Sequence, residues 1–187
     1  MRILGIDPSL NKTGYGVVDF SAGSVRLVEG GIITPPRSKN LGLRLADLQR
    51  TLAEIIGSLH PDVMVVEDVF SQAIRPRTAI LMGHARGALI CAAALADMPI
   101  YHYSATAVKR ALVGTGAASK QQVASMVVQT LRLSHRFEHD DESDALALAI
   151  AHGRRAASEA NVVSRIHSRG NSPRRIPSRA SNGRRKR

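Results

Sequence analysis

Four acidic side chains stand where chemistry on a phosphate would need them. Asp7 closes the apolar run Ile3-Leu4-Gly5-Ile6 just before Pro8, and Glu67 closes a second run, Val63-Met64-Val65-Val66. Asp141 and Asp144 are three residues apart at the head of the apolar stretch Ala145-Leu146-Ala147-Leu148, so on a helix they share a face. Each has an ordinary structural use. A carboxylate at a strand end can be a turn former, Asp141 can cap a helix, and Asp144 can satisfy the positive end of the helix dipole. Capping does not account for five acids within residues 138–144 ahead of a mostly apolar helix. If the four converge, each pair of like charges ~4 Å apart costs about 4 kcal/mol at an effective dielectric near 20. Divalent cations remove that cost, and an oxygen-only ligand set favours Mg²⁺, with Mn²⁺ able to substitute. Two such ions ~3.5–4 Å apart suit phosphodiester hydrolysis: one activates water and the other stabilises the leaving oxygen.

The elements that would carry these acids can be read from hydrophobic period and turn chemistry. Residues 2–7, 14–20 and 25–33 read as three strands in an antiparallel meander, with Ser21-Ala22-Gly23-Ser24 as a turn. Leu41, Leu45, Leu48, Leu52, Ile55, Ile56 and Leu59 recur at helical spacing up to His60-Pro61. Residues 63–66 form a continuous apolar strand of the kind buried on both faces of a parallel sheet. A helix over 78–97, a strand over 100–103, and helices over 105–113, 119–131 and 142–158 follow. The order βββ-α-β-α-β-α-α-α predicts an α/β fold, a five-stranded mixed sheet flanked by helices. Right-handed crossover places strand 63–66 beside and parallel to strand 2–7. Asp7 and Glu67 then lie side by side at the carboxyl ends of neighbouring strands, where open α/β sheets bind ligands.

The net charge of +11 is unevenly placed. Residues 1–153 carry 15 basic and 14 acidic side chains, whereas residues 154–187 carry 11 basic ones and a single acid, Glu159. The expected organisation is one domain over 1–158 and a basic, disordered tail over 159–187 that either solubilises the chain or strengthens its hold on a polyanion. The lone cysteine, Cys91, excludes a disulfide framework and a multi-cysteine zinc site; its apolar surroundings predict a buried, reduced thiol. The N-terminus lacks the long apolar run of a signal peptide, and residues 87–96 are too few to span a bilayer. A soluble cytoplasmic protein with no membrane partner is expected.

With these residues in view the chain resembles the RuvC family, the bacterial Holliday junction resolvases with an RNase H-like fold. The resemblance rests on Leu4-Gly5-Ile6-Asp7-Pro8-Ser9, Thr13-Gly14-Tyr15-Gly16-Val17-Val18, Val66-Glu67-Asp68-Val69-Phe70, Gly83-His84-Ala85-Arg86-Gly87, Val108-Lys109, Lys120 and Asp141-Glu142-Ser143-Asp144-Ala145-Leu146-Ala147. In order and spacing these cover about residues 1–153. The resemblance implies that Asp7, Glu67, Asp141 and Asp144 are the metal-binding acids, with Asp140 and Glu142 as neighbours able to share the third place. It also implies paired symmetric nicks across a four-way DNA junction in recombination and repair, a homodimer, and the branch-migration proteins RuvA and RuvB as partners.

The same resemblance gives roles to several other residues. Phe70 is either a core phenylalanine or an aromatic that stacks on a base at the opened branch point. Arg75 and Arg77 flank Pro76 on the same loop and can present two guanidinium groups to phosphates. Lys109 matches a catalytic, DNA-contacting position near the scissile phosphate, and Lys120, at the start of a helix, matches a second DNA contact. His84, His102, His135 and His139 make no metal-ligand spacing; His139, near the acids, is a candidate for assisting water activation. The helix over 78–97 is apolar on nearly every side and predicts a dimer interface, which a two-fold substrate favours. Two other readings compete. An actin-like phosphotransferase would need a further Gly-rich loop and a much longer chain. A non-catalytic DNA-binding protein would use the acids only as caps.

Overall fold

The structure is a computed structural model and describes the backbone of residues 1–170, except 22, 38–39, 69–75 and 136, with side chains as far as residue 160. Strands β1 (Arg2–Asp7), β2 (Thr13–Ser21) and β3 (Ser24–Ile33) form the meander. Helix α1 (Leu41–Leu59) leads to β4 (Val63–Glu67), helix α2 (Pro76–Leu95) to β5 (Ile100–Tyr103), and helices α3 (Ala105–Val113), α4 (Lys120–Leu131) and α5 (Asp140–Gly170) complete the chain. The five strands lie in the order β3-β2-β1-β4-β5. β1 is antiparallel to β2 and parallel to β4, in register Ile6 to Tyr15 and Ile6 to Val66, and β4 is parallel to β5. The expected mixed sheet, with β4 beside β1, is what forms.

Both faces of the sheet are covered, which is why its central strands read as unbroken apolar runs. Alternate residues point to opposite sides. Ile3, Val63 and Val65 join a core built with Val108, Leu112, Val123, Val127, Leu146 and Ile150 of α3, α4 and α5. Leu4, Ile6, Met64 and Val66 join the other core, with Leu48, Leu52 and Ile56 of α1 and Ala85 and Leu89 of α2. Helix ends follow their local chemistry. Asn40 caps α1 by accepting from the Leu43 amide at 3.2 Å, and Ser119 caps α4 in a capping box with Gln122.

Three differences from the sequence expectations have local causes. Helix α2 is shifted to Pro76–Leu95: Pro76 opens it, where a missing amide costs nothing, and Asp97, with φ of 52°, turns the chain out as the Met98 amide bonds the Ala93 carbonyl. Helix α5 starts at Asp140 and continues to Gly170, twelve residues past the expected end. The run Arg154-Arg155-Ala156-Ala157-Ser158-Glu159-Ala160 favours helix, and Arg155 Nε meets Glu159 Oε1 at 2.8 Å across one turn. The expected tail therefore begins as helix, and residues 171–187 lie outside the described part. Cys91 is exposed instead of buried, because it lies on the side of α2 turned away from Ala85, Leu89, Ala92 and Ala93. By length and composition α2 could cross a membrane, yet those four residues are buried in the protein's own core.

Candidate active site

Asp7 and Glu67 are the last residues of β1 and β4, adjacent parallel strands. Both share the side-chain parity of Ile3, Val63 and Val65, so both face helix α5. That helix lies unusually close to the sheet because two strand positions lack side chains. A Cβ on Gly14, the register partner of Asp7, would collide with the Asp141 carbonyl, and one on Gly5 would collide with the Ala145 carbonyl. Backbone, not a mobile side chain, blocks both positions, so the first turns of α5 rest directly on β1 and β2. Asp141 sits inside the first turn of α5, with Asp140 and Glu142, and not at its cap.

The electrostatics record the convergence. Burial pushes the Asp7 carboxyl up to about 8, helped by the negative charges of Glu67, Asp144 and Asp141 and opposed by Lys120. Glu67 is raised for the same reasons, burial first and then Asp144, against the pull of Lys120 and Lys109. Lys120 Nζ lies 3.1 Å from Asp144 Oδ2, and that contact, with Asp7 and Asp140 beyond it, raises the ammonium's pKa. The site is thus a pocket of negative oxygen already recruiting the nearest cation. As placed, no three acidic, histidine or cysteine side chains among the described residues meet at metal-ligand geometry. The donor set nonetheless fits a hard divalent cation, since half-buried carboxylates that repel one another are what such an ion neutralises.

The other predicted residues fall around this centre. Lys109, on α3, is close enough to Glu67 to act on its charge. Glu142 turns toward β3, with its carboxylate against Gly30, and His139 acts on Glu142. Arg77, expected on a loop, is instead exposed in the first turn of α2, because Pro76 opens the helix one residue before it. Phe70 and Arg75 lie outside the described residues.

Sequence reasoning passed over two groups. Arg86 reaches from α2 to the end of β4, donating from Nε to the Glu67 carbonyl at 3.0 Å. His152, buried in α5, meets the Tyr103 hydroxyl at 3.1 Å and stacks near Tyr101, with ring centroids 4.3 Å apart. For Arg86 the only signal was its place in Gly83-His84-Ala85-Arg86-Gly87; for His152 no spacing pointed to a partner fifty residues away.

A meander followed by parallel strands, with carboxylates gathered at the ends of β1 and β4 under the last helix, defines an RNase H-like resolvase architecture. A family model described as crossover junction endodeoxyribonuclease RuvC matches residues 3–152. A relative of that name from Rhodopirellula baltica is 43% identical over 148 residues, 79% of this chain and 83% of its own. The chain belongs to the RuvC family. Among solved structures, Thermus thermophilus RuvC superposes with a TM-score of 0.78 at 31% identity, covering 85% of this chain and 97% of that one. T. thermophilus RuvC in complex with Holliday junction substrate superposes at 0.76 and 29% identity, covering 84% and 96%.

Proposed function

We propose that this chain is a divalent-metal-dependent endonuclease that resolves four-way DNA junctions by paired symmetric nicks. The observation that carries the reading is the half-buried Asp7, raised to about 8 by burial and by three converging carboxylates at a strand end. Asp7, Glu67, Asp141 and Asp144 would hold Mg²⁺ or Mn²⁺, two ions per site. Bound there, the metal supplies an activated water and compensates charge on the phosphate and the leaving 3′-oxygen. The chain's own residues do the rest. Lys120 balances Asp144 before substrate arrives and is available to a phosphate oxygen afterwards. Lys109, beside Glu67, places positive charge where negative charge develops. Phe70 and Arg75, between β4 and α2 in the sequence, and Arg77 in the first turn of α2 are the DNA contacts at the branch point, with RuvA and RuvB as partner proteins on the same DNA in the cytoplasm. On a synthetic four-way junction and a linear duplex of the same sequence, nicks are expected only on the junction and only with Mg²⁺. Equal cutting of the duplex, or cutting in a chelator, overturns the reading.

The active unit is a homodimer joined through α2. Ile80, His84, Gly87, Cys91 and Leu95 fall three or four residues apart along this helix and are all exposed, with Ile80 at 60% and Leu95 at 78%. An uncovered stripe of that length, apolar at Ile80, Cys91 and Leu95, on a core helix calls for a second copy. Ile80→Glu together with Leu95→Glu should convert a dimer to monomer in sedimentation; an unaltered sedimentation coefficient counts against this surface.

Residues 171–187 contain seven basic side chains and no acid, and they add sequence-independent affinity for DNA. Deleting them should flatten the slope of log affinity against log salt. An unchanged slope refutes the contact.

A further inference from the structure

We propose that Arg86 is a positioning residue for Glu67, fixing from the far side of the sheet the peptide on which that carboxylate is mounted. The inference rests on the metal-nuclease reading above and assigns a role in the site to a residue that does not touch it.

The argument is geometric. The Glu67 carbonyl and the Asp68 amide belong to one peptide unit, the first beyond the end of β4. Its carbonyl accepts from Arg86 Nε at 3.0 Å, and its amide donates to the Tyr103 carbonyl of β5 at 2.9 Å. A peptide held at both its polar ends cannot rotate, so the backbone on which the Glu67 side chain pivots has one orientation. The arginine is itself restrained. Its Nη2 lies 3.2 Å from Asp68 Oδ1 and 2.7 Å from His102 Nδ1, and its side chain is only 22% exposed. A planar fork engaging a backbone carbonyl and two side chains at once holds position better than any single contact.

The placement matters because β4 ends here and the chain turns away. Asp7, at the corresponding end of β1, is in register with Gly14 of β2. Glu67 is the last residue of its strand, in register with Tyr103 of the edge strand β5, and its carbonyl accepts from Arg86 at the point where the strand stops. Asp68, with parity opposite to Glu67, points to the α2 face and supplies the second hold on the guanidinium. The last residue of β4 thus serves the metal site and the next anchors the clamp. Lysine at position 86 could satisfy one of these groups but not all three. Glutamine could donate to the carbonyl but would leave the Asp68 charge unbalanced.

The experiment compares wild type, Arg86→Lys and Arg86→Gln in three measurements. Mn²⁺ affinity without DNA is measured by calorimetry, nicking of a four-way junction is followed as Mg²⁺ is raised, and metal-free junction binding is measured by gel shift. Loss of a group that orients a metal ligand costs about 10-fold or more in metal affinity or rate. Both variants should bind Mn²⁺ about 10-fold more weakly and need correspondingly more Mg²⁺, with excess Mg²⁺ recovering much of the Arg86→Lys rate. Metal-free junction binding should stay within about twofold of wild type, since the fold and the DNA-facing lysines remain. Wild-type Mn²⁺ affinity and Mg²⁺ dependence in a folded Arg86→Lys protein overturn the proposal, and so does a parallel loss of junction binding, which would make Arg86 a DNA contact. Thermal melting of each variant separates an altered site from an unfolded chain; Arg86→Lys, which keeps the charge beside Asp68, guards against the latter. Failure of wild type to nick a junction with Mg²⁺ would defeat the nuclease reading itself, a result distinct from any of these.

Discussion

Asp7→Asn should abolish nicking of a four-way junction while leaving the junction bound as tightly as by wild type, or more tightly. The substitution keeps the shape of the side chain and removes its charge. It thereby takes away the proposed metal ligand on which Glu67, Asp144 and Asp141 all act. Metal stabilisation of phosphoryl charge is worth several kcal/mol, and each 1.4 kcal/mol is tenfold in rate, so a loss of about 10³-fold or more is expected. Binding should respond in the opposite sense. A carboxylate facing a phosphate backbone is repulsive, and Lys120, which balances these acids, remains free to meet DNA. The cutting measurement is decisive because a passive DNA-binding protein has no nicking to lose. If Asp7→Asn cuts at the wild-type rate in Mg²⁺, the catalytic assignment of this residue is wrong.

The second large effect is on stability, and its sign follows from the raised carboxyls. Asp7 titrates near 3.8 in the unfolded chain and near 8 in the metal-free fold. Below the lower value both states carry the proton and the group contributes nothing to the difference. Between the two values the unfolded chain ionises while the folded protein does not, so folding is progressively disfavoured as pH rises; above about 8 the penalty is complete. Each pKa unit is worth about 1.4 kcal/mol, so the full effect is on the order of 5 kcal/mol, and the raised Glu67 adds to it in the same direction. In a chain of this size 1 kcal/mol moves the melting temperature by roughly 2–4 °C. Metal-free wild type should therefore melt about 10 °C or more lower at pH 8.5 than at pH 5 on account of these groups. Mg²⁺ should restore much of the loss at pH 8.5 and little at pH 5, where protons compete for the same oxygens. Asp7→Asn should melt higher than wild type in chelator at pH 8.5, with the gap closing toward pH 4. Parallel melting curves for the two proteins across that range would show that Asp7 is not held among like charges.

Much of this site was readable from the amino-acid order, and for a definite reason. Central strands buried on both faces give uninterrupted apolar runs, so an acid at the end of such a run is conspicuous. Asp7 and Glu67 stand out that way, and the handedness of crossover connections makes their strands neighbours. Asp141 and Asp144 announced themselves by standing at the head of an apolar helix. What the order of residues left dark depends on distances between layers. That Gly5 and Gly14 bring helix α5 against the sheet is invisible in a strand pattern, since a glycine there reads equally as a bulge. The contact of Arg86 with the Glu67 carbonyl depends on how α2 rotates on its face of the sheet, which periodicity does not specify in a helix apolar on nearly every side. The same ambiguity misplaced Cys91. The length of α5 exceeds the sequence expectation because, beyond the core, no apolar stripe in the sequence marks where a helix continues, and among the described residues local propensity and the Arg155–Glu159 pair support it.

The sheet also acts as a partition. Asp7 and Glu67 open toward α5, while the apolar stripe of α2 looks out from the opposite side. Residue changes that adjust subunit pairing can accumulate behind this wall without entering the reaction chamber, except where a guanidinium reaches around its border. Selection could in this way reshape the outer face of α2 while the acidic cluster stays as it is.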